Sequence, residues 1–360
     1  MRPPFVNPLL LWYNEYRRDL PWRHTSDPYR IYVSEIMLQQ TRVEAVREAY
    51  VRFLNALPDI ESLAHVPDDE LMKLWEGLGY YRRARGLKAA AQKIMTDFGG
   101  TFPGTEEELL ELPGVGRYTA GAVGSIAFGL AIPAVDGNVM RVISRMQESD
   151  ENVLNDRRVK EVTDMLRALM QKHFHENEKK GQGNPCGDFN QALFELGACI
   201  CTPKDPKCSE CPVRESCGAF AHGTVDRYPV RIQKTKRKAE KRTVLVIRDG
   251  DLCVLRKRPD TGLLAGLFEF PNYPGSLAED DIIVRVREMG LEPIRIRSLG
   301  DAKHLFSHVE WDMTGYEVTV ASPGGPYAEG VILASHKDLA LTYAMPSAFH
   351  AYLRAFMEET

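Results

Sequence analysis

Residues 107–129 read EELLELPGVGRYTAGAVGSIAFG. Leu109, Leu110 and Leu112 close a short helical pattern, Pro113 to Gly116 interrupt it, and a second helical pattern follows at once. Two helices joined by a tight hairpin containing Gly114 and Gly116 expose backbone N–H groups at a helix N-terminus, which suits a phosphate. A helix-hairpin-helix of this kind, spanning about 106–128, contacts a nucleic-acid backbone without reading sequence. A simple packing corner between helices is the alternative that the motif alone leaves open.

Outward from the hairpin, helical periodicity dominates. Apolar residues recur at three- and four-residue spacing over Val43 to Leu57, Asp69 to Leu78, Arg83 to Phe98, Glu106 to Leu112, Arg117 to Phe128, Val139 to Met146, Val159 to His173 and Phe189 to Cys199. The character changes near residue 225. TVLVI and LCVLRKR, separated by Arg248 to Asp251, predict a hairpin with a Gly turn. A helix is expected at Asp280 to Met289, strands at Ile294 to Ser298, His308 to Met313 and Glu317 to Ala321, and a last helix at Ser347 to Glu358. The chain is therefore multidomain: an all-helical region over 1–223, a basic linker over 224–241 and a small α/β domain over 242–360.

Of 360 residues, 44% are hydrophobic and 27% charged, which predicts a folded, soluble chain. No stretch is apolar for long enough to span a membrane, and MRPPFVNPLLLWYNEYRRDLPW lacks the apolar core and cleavage site of a signal peptide. The expected location is the cytoplasm, at the nucleoid if the source is bacterial. A net charge of −4 argues against a uniformly basic binder of nucleic acid, not against local patches. Arg82, Arg83 and Arg85 follow Tyr80 and Tyr81, and a second run holds Lys234, Lys236, Arg237, Lys238, Lys241 and Arg242. Aromatics beside arginines suit contact with bases and phosphates; the second run reads as a charged linker able to lie along a polyanion.

The run CTPKDPKCSECPVRESC places Cys201, Cys208, Cys211 and Cys217 with six, two and five residues between them. One C-x-x-C with longer arms suits a cubane iron–sulfur cluster better than the paired C-x-x-C of zinc ribbons. A four-cysteine zinc site is the rival; a disulfide staple or four buried thiols is less in keeping with a loop this polar. Cys186, Cys199 and Cys253 read as packing residues.

Two carboxylates stand out. Asp136, in PAVDGNVMRV twenty residues beyond the hairpin, precedes a helix whose amides and dipole favour an anion; a plain N-cap is the alternative. Glu35, in YRIYVSEIMLQQT, is crowded by Tyr32, Val33, Ile36, Met37 and Leu38, so its pKa should rise; an exposed glutamate on an amphipathic helix is the alternative. One acid kept protonated and one kept ionised is what cleavage of an N-glycosidic bond requires.

With these residues in place the chain resembles the MutY family of adenine DNA glycosylases, within the endonuclease III-like superfamily. The likeness rests on LPW, SEIMLQQT, WEGLGYYRRAR, LPGVGRYTAG, VDGNV, FNQALFELGACIC and the cysteine loop over 201–217. It implies a helix-hairpin-helix glycosylase domain with a [4Fe-4S] cluster on the four cysteines, and a monomer acting on double-stranded DNA that contains an adenine:8-oxoguanine or adenine:guanine mispair. It further implies that Glu35 donates a proton to N7 of a flipped adenine and that Asp136 stabilises the sugar cation or traps it as a transient adduct. Tyr118 and Asn138 match pocket residues near the acids, and Trp22, Arg23, Leu38 and Gln191 match its walls. Gln40, Thr41 and Tyr80 match the wedge that fills the gap left by the flipped base and touches the opposing oxidised guanine. Lys204, Lys207 and Arg214 beside the cysteines would meet phosphates.

The tail resembles a MutT-like, Nudix-related domain, with GLFEFPNYPG and REMGL as remnants. Met289 and Gly290 follow Arg287 and Glu288 where a hydrolytic box would need further glutamates, so recognition rather than nucleotide hydrolysis is implied. Phe306, Ser307 and His308 match a loop that inspects the oxidised base. Two rivals differ in chemistry. A bifunctional endonuclease III-like lyase needs an amine where this chain has Tyr118, and reads D-T-H where this chain has Asp136, Gly137 and Asn138. A non-catalytic scaffold for damaged DNA would be expected to lack one of the acids.

Overall fold

The computed structural model describes residues 4–174, 184–232, 237–321 and 327–358. The chain divides into two compact units, residues 1–65 with 85–234, and residues 66–84 with 235–360. The helices in chain order begin with α1 (Val6–Tyr16), α2 (Pro28–Leu38), α3 (Val43–Ala56), α4 (Ile60–His65), α5 (Asp68–Leu74) and α6 (Arg82–Asp97). Next come α7 (Glu106–Leu110), α8 (Arg117–Phe128), α9 (Gly137–Gln147), α10 (Asp156–His173), α11 (Pro185–Cys199) and α12 (Gly218–Ala221). The helical reading of the N-terminal part is borne out, and α1, α2 and α4 add to it.

In the first unit, the hairpin is α7, a turn and α8. Thr105 and Glu108 close a capping box on α7, and α8 starts at Gly116 without a side-chain cap. One apolar core joins α1, α9, α10 and α11 through Leu9, Val142, Leu166, Phe189 and Leu196. Asn190 of α11, fully buried, accepts from Ala134 N–H at 3.1 Å and donates to Ser125 Oγ at 2.8 Å and Ile132 O at 2.9 Å. That single amide ties α8, the 131–134 segment and α11 together. Gly197 does the same by its size: a Cβ there would lie 2.6 Å from Asn138 Cβ, so only glycine lets α11 pass so close to the start of α9.

The second unit is built on a sheet of β1 (Lys238–Asp249), β2 (Leu252–Lys257), β3 (Phe268–Glu269), β4 (Asn272–Pro274), β5 (Glu292–Leu305), β6 (Val309–Ala321) and β7 (Ile332–Ser335). Its order is β3-β2-β1-β6-β5, with β4 paired to β1 and β7 to β2. β1 and β6 run parallel, from Lys238 opposite Val309 to Arg248 opposite Thr319. TVLVI is buried on both faces: Val244 and Val246 enter a core with Trp311, Met313 and Phe349, whereas Leu245 and Ile247 face Ile282 and Val286 of α13 (Glu279–Arg287). α14 (His336–Leu341) and α15 (His350–Met357) supply Leu339, Tyr352 and Phe356 to the first of these cores.

Two expectations for the tail need correction. The strands expected at His308 to Met313 and Glu317 to Ala321 are one strand, β6, because Gly315 breaks the apolar alternation without breaking the backbone. A Cβ at Gly315 would sit 2.0 Å from the Tyr352 ring, which occupies that space. The span 224–241, expected to lack periodic structure, is ordered in its described residues. Val225–Arg227 form a 3-10 turn, Tyr228 is buried, Val153 N–H donates to Val230 O, and β1 begins at Lys238. Lys234 and Lys236 lie outside the described residues, and Arg242 stacks on Trp311 at 4.5 Å instead of facing solvent freely.

Candidate active site

Glu35 sits in the middle of α2, a helix buried almost all round: Tyr29, Ile31, Tyr32, Val33, Ile36 and Met37 are buried with it. Asp27 caps α2 through Tyr29 N–H, and Pro28 opens it. Only 5% of Glu35 is exposed, so the alternative of a solvated glutamate fails. Burial pushes its carboxyl up to about 7, against the Tyr118 hydroxyl, which donates to Oε2 at 2.8 Å; the Asp136 charge adds to the rise and Arg23 opposes it. Tyr118, one residue into α8, is brought there by the hairpin and leans on Phe194 at 5.7 Å.

Asp136 is the N-cap of α9. Its Oδ1 accepts from Val139 N–H at 2.8 Å and its Oδ2 from the Asn138 amide at 2.8 Å. The plain-cap reading is therefore correct geometrically, and the same carboxylate also acts on Glu35 electrostatically. Burial raises Asp136 as well, opposed by hydrogen bonds from the Val139 backbone and from the side chain and backbone of Asn138, and by Arg141. The expected pair of opposite shifts is thus not what the site holds: both acids move up, and they differ in that Asp136 accepts from N–H groups at a helix N-terminus whereas Glu35 accepts from the Tyr118 O–H.

Charged groups that sequence reading passed over complete the site. Glu195 of α11 accepts from Arg18 Nε at 2.8 Å and from Arg23 Nη2 at 2.7 Å. Burial alone would raise its carboxyl, but these arginines hold it at about 2. The pairing fixes Arg23 in place. Arg141 of α9 donates to Asn138 Oδ1, Gly197 O and Cys201 O, each at 2.8 Å, so it links the residue beside Asp136 to the cysteine loop. The usable signal was a charge inside an apolar helix, Glu195 in ALFELGAC and Arg141 in VMRVI. Trp22 is buried against Tyr50 in an edge-on contact at 5.5 Å, while Leu38 and Gln191 are half-buried.

Cys201, Cys208, Cys211 and Cys217 line one cavity with Val142, Leu196, Ile200 and Val213, and no cysteine is in a disulfide. Arg145 donates to Cys201 Sγ at 3.3 Å, and backbone N–H groups of Val213 and Phe220 point at the sulfurs of Cys211 and Cys217. Burial pushes the Cys211 thiol up to about 12. Among the described residues, no three His, Cys, Asp or Glu side chains converge closely enough for a single metal ion. Lys204, Lys207 and Arg214 are exposed in the same loop.

Gln40 is exposed just past α2 and has a φ of 57°, and Thr41 is half-buried with its N–H on Leu38 O. Tyr80, in the second unit, has a φ of 49° and is 49% exposed, whereas Tyr81 is buried. Left-handed backbone at residues that are not glycine is costly and concentrates at functional sites. Arg83 turns inward over Trp75, so of the first basic patch it is not a free phosphate ligand. Phe306, Ser307 and His308 form the turn between β5 and β6. The Phe306 ring is wedged between His304 at 4.6 Å and Trp311 at 4.9 Å, and Ser307 and His308 are exposed. On α13, Arg285 pairs with Glu288 at 3.0 Å, Arg287 pairs with Glu292 at 2.6 Å, and Met289 is buried.

The hairpin, with its two carboxyls and the cysteine loop, belongs to a base-excision DNA repair glycosylase. Residues 33–172 match the HhH-GPD superfamily of base excision DNA repair proteins, and residues 243–355 match the NUDIX domain. The chain is similar to the solved structure of a thermostable thymine-DNA glycosylase, with a TM-score of 0.52 and 34% identity, over 61% of this chain and 95% of that one. It is 34% identical to the adenine DNA glycosylase of Mus musculus over 97% of its own length and 78% of that protein's. With the adenine DNA glycosylase of Buchnera aphidicola it shares 32% identity, over 85% of this chain and 83% of that one. The chain belongs to the adenine DNA glycosylases. Among the described residues no helix is long and apolar enough to cross a membrane.

Proposed function

We propose that this enzyme removes adenine mispaired with 8-oxoguanine or guanine in double-stranded DNA, after the base has been flipped out of the stack. One observation carries the chemistry: a buried carboxyl, raised to about 7 by that burial and held by the Tyr118 hydroxyl, within electrostatic reach of a second carboxylate on a helix N-terminus. Glu35 donates its proton to the leaving adenine, and Asp136 provides the countercharge to the sugar cation, oriented by Val139 N–H and Asn138. Water completes the hydrolysis. Where a lyase would need an amine, Tyr118 offers a phenol whose pKa burial raises far above the ordinary value, which supports a monofunctional reaction. Trp22, Arg23 and Gln191 wall the pocket, and Gly114 with Gly116 present the hairpin backbone to a phosphate.

The enclosed recess lined by apolar side chains, four sulfurs and N–H donors suits a [4Fe-4S] cluster on Cys201, Cys208, Cys211 and Cys217. When bound, such a cluster supplies a fixed charge and a rigid loop. Protein purified without air should contain about four iron and four sulfide per chain. Cys211→Ser should lower the iron content and the DNA affinity; zinc in place of iron would overturn the assignment.

Adenine is a normal base, so its pocket cannot tell a wrong adenine from a right one, and a second reader must inspect the opposite strand. Gln40 and Thr41 in the first unit, and Tyr80 with the exposed Ser307 and His308 turn in the second, are the residues proposed for that task. Duplexes differing in one base pair, followed by alkali, test the reading: strands should nick only after alkali, and only where adenine faces guanine or 8-oxoguanine. The double change Ser307→Ala and His308→Ala should reduce the preference for 8-oxoguanine over guanine by roughly ten-fold, with excision opposite guanine little changed. An undiminished preference would remove the turn from the reader.

A further inference from the structure

Residues 66–84 belong to the same compact unit as the C-terminal sheet, although they precede it by more than a hundred and fifty residues. The attachment is polar and specific. Glu76 Oε1 accepts from Met345 N–H at 2.8 Å, and Oε2 accepts from Lys73 Nζ at 2.6 Å. The same ammonium donates to Leu339 O at 2.8 Å and Tyr343 O at 3.2 Å, so its three protons are all used. Both side chains are largely shielded, with 16% and 27% of their surface exposed.

Directly after Glu76 comes the loop that carries Tyr80. Gly77, Gly79 and Tyr80 have φ values of 88°, 65° and 49°, a left-handed path that does not hold itself in place. From its C-terminal side the loop is held by Arg83, which donates to Leu78 O at 2.8 Å and Gly79 O at 3.0 Å and stacks over both Trp75 and Tyr80. The Trp75 indole donates to Gly79 O at 3.0 Å. On its N-terminal side the fixed point is Glu76, gripped by residues 339–345 through Lys73 and the Met345 amide.

We propose that Lys73 and Glu76 are positioning residues that set the exposed Tyr80 ring at the angle with which it meets the base opposite adenine; this rests on the reading of Tyr80 above. Buried ion pairs contribute little net stability, and their best-attested use is to fix a geometry. The C-terminal unit therefore contributes to opposite-base recognition in two ways, through its own exposed turn and by holding the Tyr80 loop.

The test measures single-turnover excision from duplexes in which adenine faces 8-oxoguanine, guanine or a stable abasic analogue, for Tyr80→Ala, Glu76→Ala and the neutral pair Lys73→Met with Glu76→Gln. Glu76→Ala should lower the 8-oxoguanine to guanine rate ratio by roughly ten-fold, toward the Tyr80→Ala value, and leave the rate opposite the abasic analogue unchanged, since nothing there is read. The neutral pair keeps side-chain volume and serves if Glu76→Ala does not fold; it removes the grip through Lys73 while the new amide can still accept from Met345 N–H, so it should show the same pattern to a smaller degree, with a modestly lower melting temperature because the Leu339 and Tyr343 carbonyls lose their donor. A drop shared equally by all three duplexes would make the pair merely structural and overturn the proposal. If Tyr80→Ala reduces the ratio and neither Glu76 variant does, the tether is wrong and the reading of Tyr80 survives. If Tyr80→Ala leaves the ratio intact, both fall.

Discussion

Glu35→Gln should abolish adenine release while leaving affinity for a mispaired duplex close to that of the unaltered enzyme. The amide keeps the shape and still accepts from the Tyr118 hydroxyl, but it has no acidic proton for the leaving base, and general acid catalysis supplies about 10²–10⁴-fold. The pH dependence follows from burial. With its pKa near 7, Glu35 is in the working, protonated form below that pH, so excision by the unaltered enzyme should fall as the pH rises through it. Stability should shift in a linked way. A carboxyl whose pKa rises from 4.5 unfolded to about 7 folded destabilises the fold progressively between those values, and fully above them. Glu35→Gln escapes that cost, so at pH 8 it should be more stable than the unaltered protein by at most about 3 kcal/mol. Single-turnover excision and denaturant unfolding at pH 5 and pH 8 check both halves. A variant that excises at near-normal rate would remove Glu35 from the mechanism, and equal stabilities at pH 8 would remove the raised pKa.

Asp136→Asn should lower excision by roughly 10²–10³-fold, the scale of losing an electrostatic partner of the transition state. The new side chain can still cap α9 by accepting from Val139 N–H, so the helix should persist. Its amide, however, would face the amide of Asn138, and turning Asn138 over would break the bond from Arg141. A modest drop in melting temperature is therefore expected alongside the kinetic loss. Activity of the purified, folded variant within ten-fold of normal would reassign the countercharge to another group.

The parts of this fold that were legible in the sequence are those with local causes. The hairpin followed from Pro113, Gly114 and Gly116 between two apolar periodicities, and the β1–β2 turn followed from Gly250 between the apolar runs TVLVI and LCVL. α2 shows no helical periodicity in its sequence because it is buried almost all round and so has no polar stripe to reveal its turn. Only Ile294 to Ser298 of β5 has a strand-like pattern, because as an edge strand β5 is mostly exposed, and it carries two register shifts, at Pro293/Arg295 and Ser298/Gly300. Of the site, the two acids were visible through their neighbours in sequence. Glu195 and Arg141 were not, because their reasons for being buried, Arg18 and Arg23 for one and the Cys201 and Gly197 carbonyls for the other, lie more than fifty residues away. The placement of residues 66–84 with the C-terminal sheet left no trace at all in composition or period.

That placement also has a consequence for how the molecule is made. Lys73 finds its carbonyl partners 266 and 270 positions further along the chain. At about 5–20 residues per second, a ribosome needs some tens of seconds to reach them after Lys73 has emerged. The hairpin, α2 and α9, which assemble the two acids, are all complete long before then. The Tyr80 loop acquires its anchor only once residues 339–345 have emerged, so the two acids are brought together well before the loop that carries Tyr80 is held.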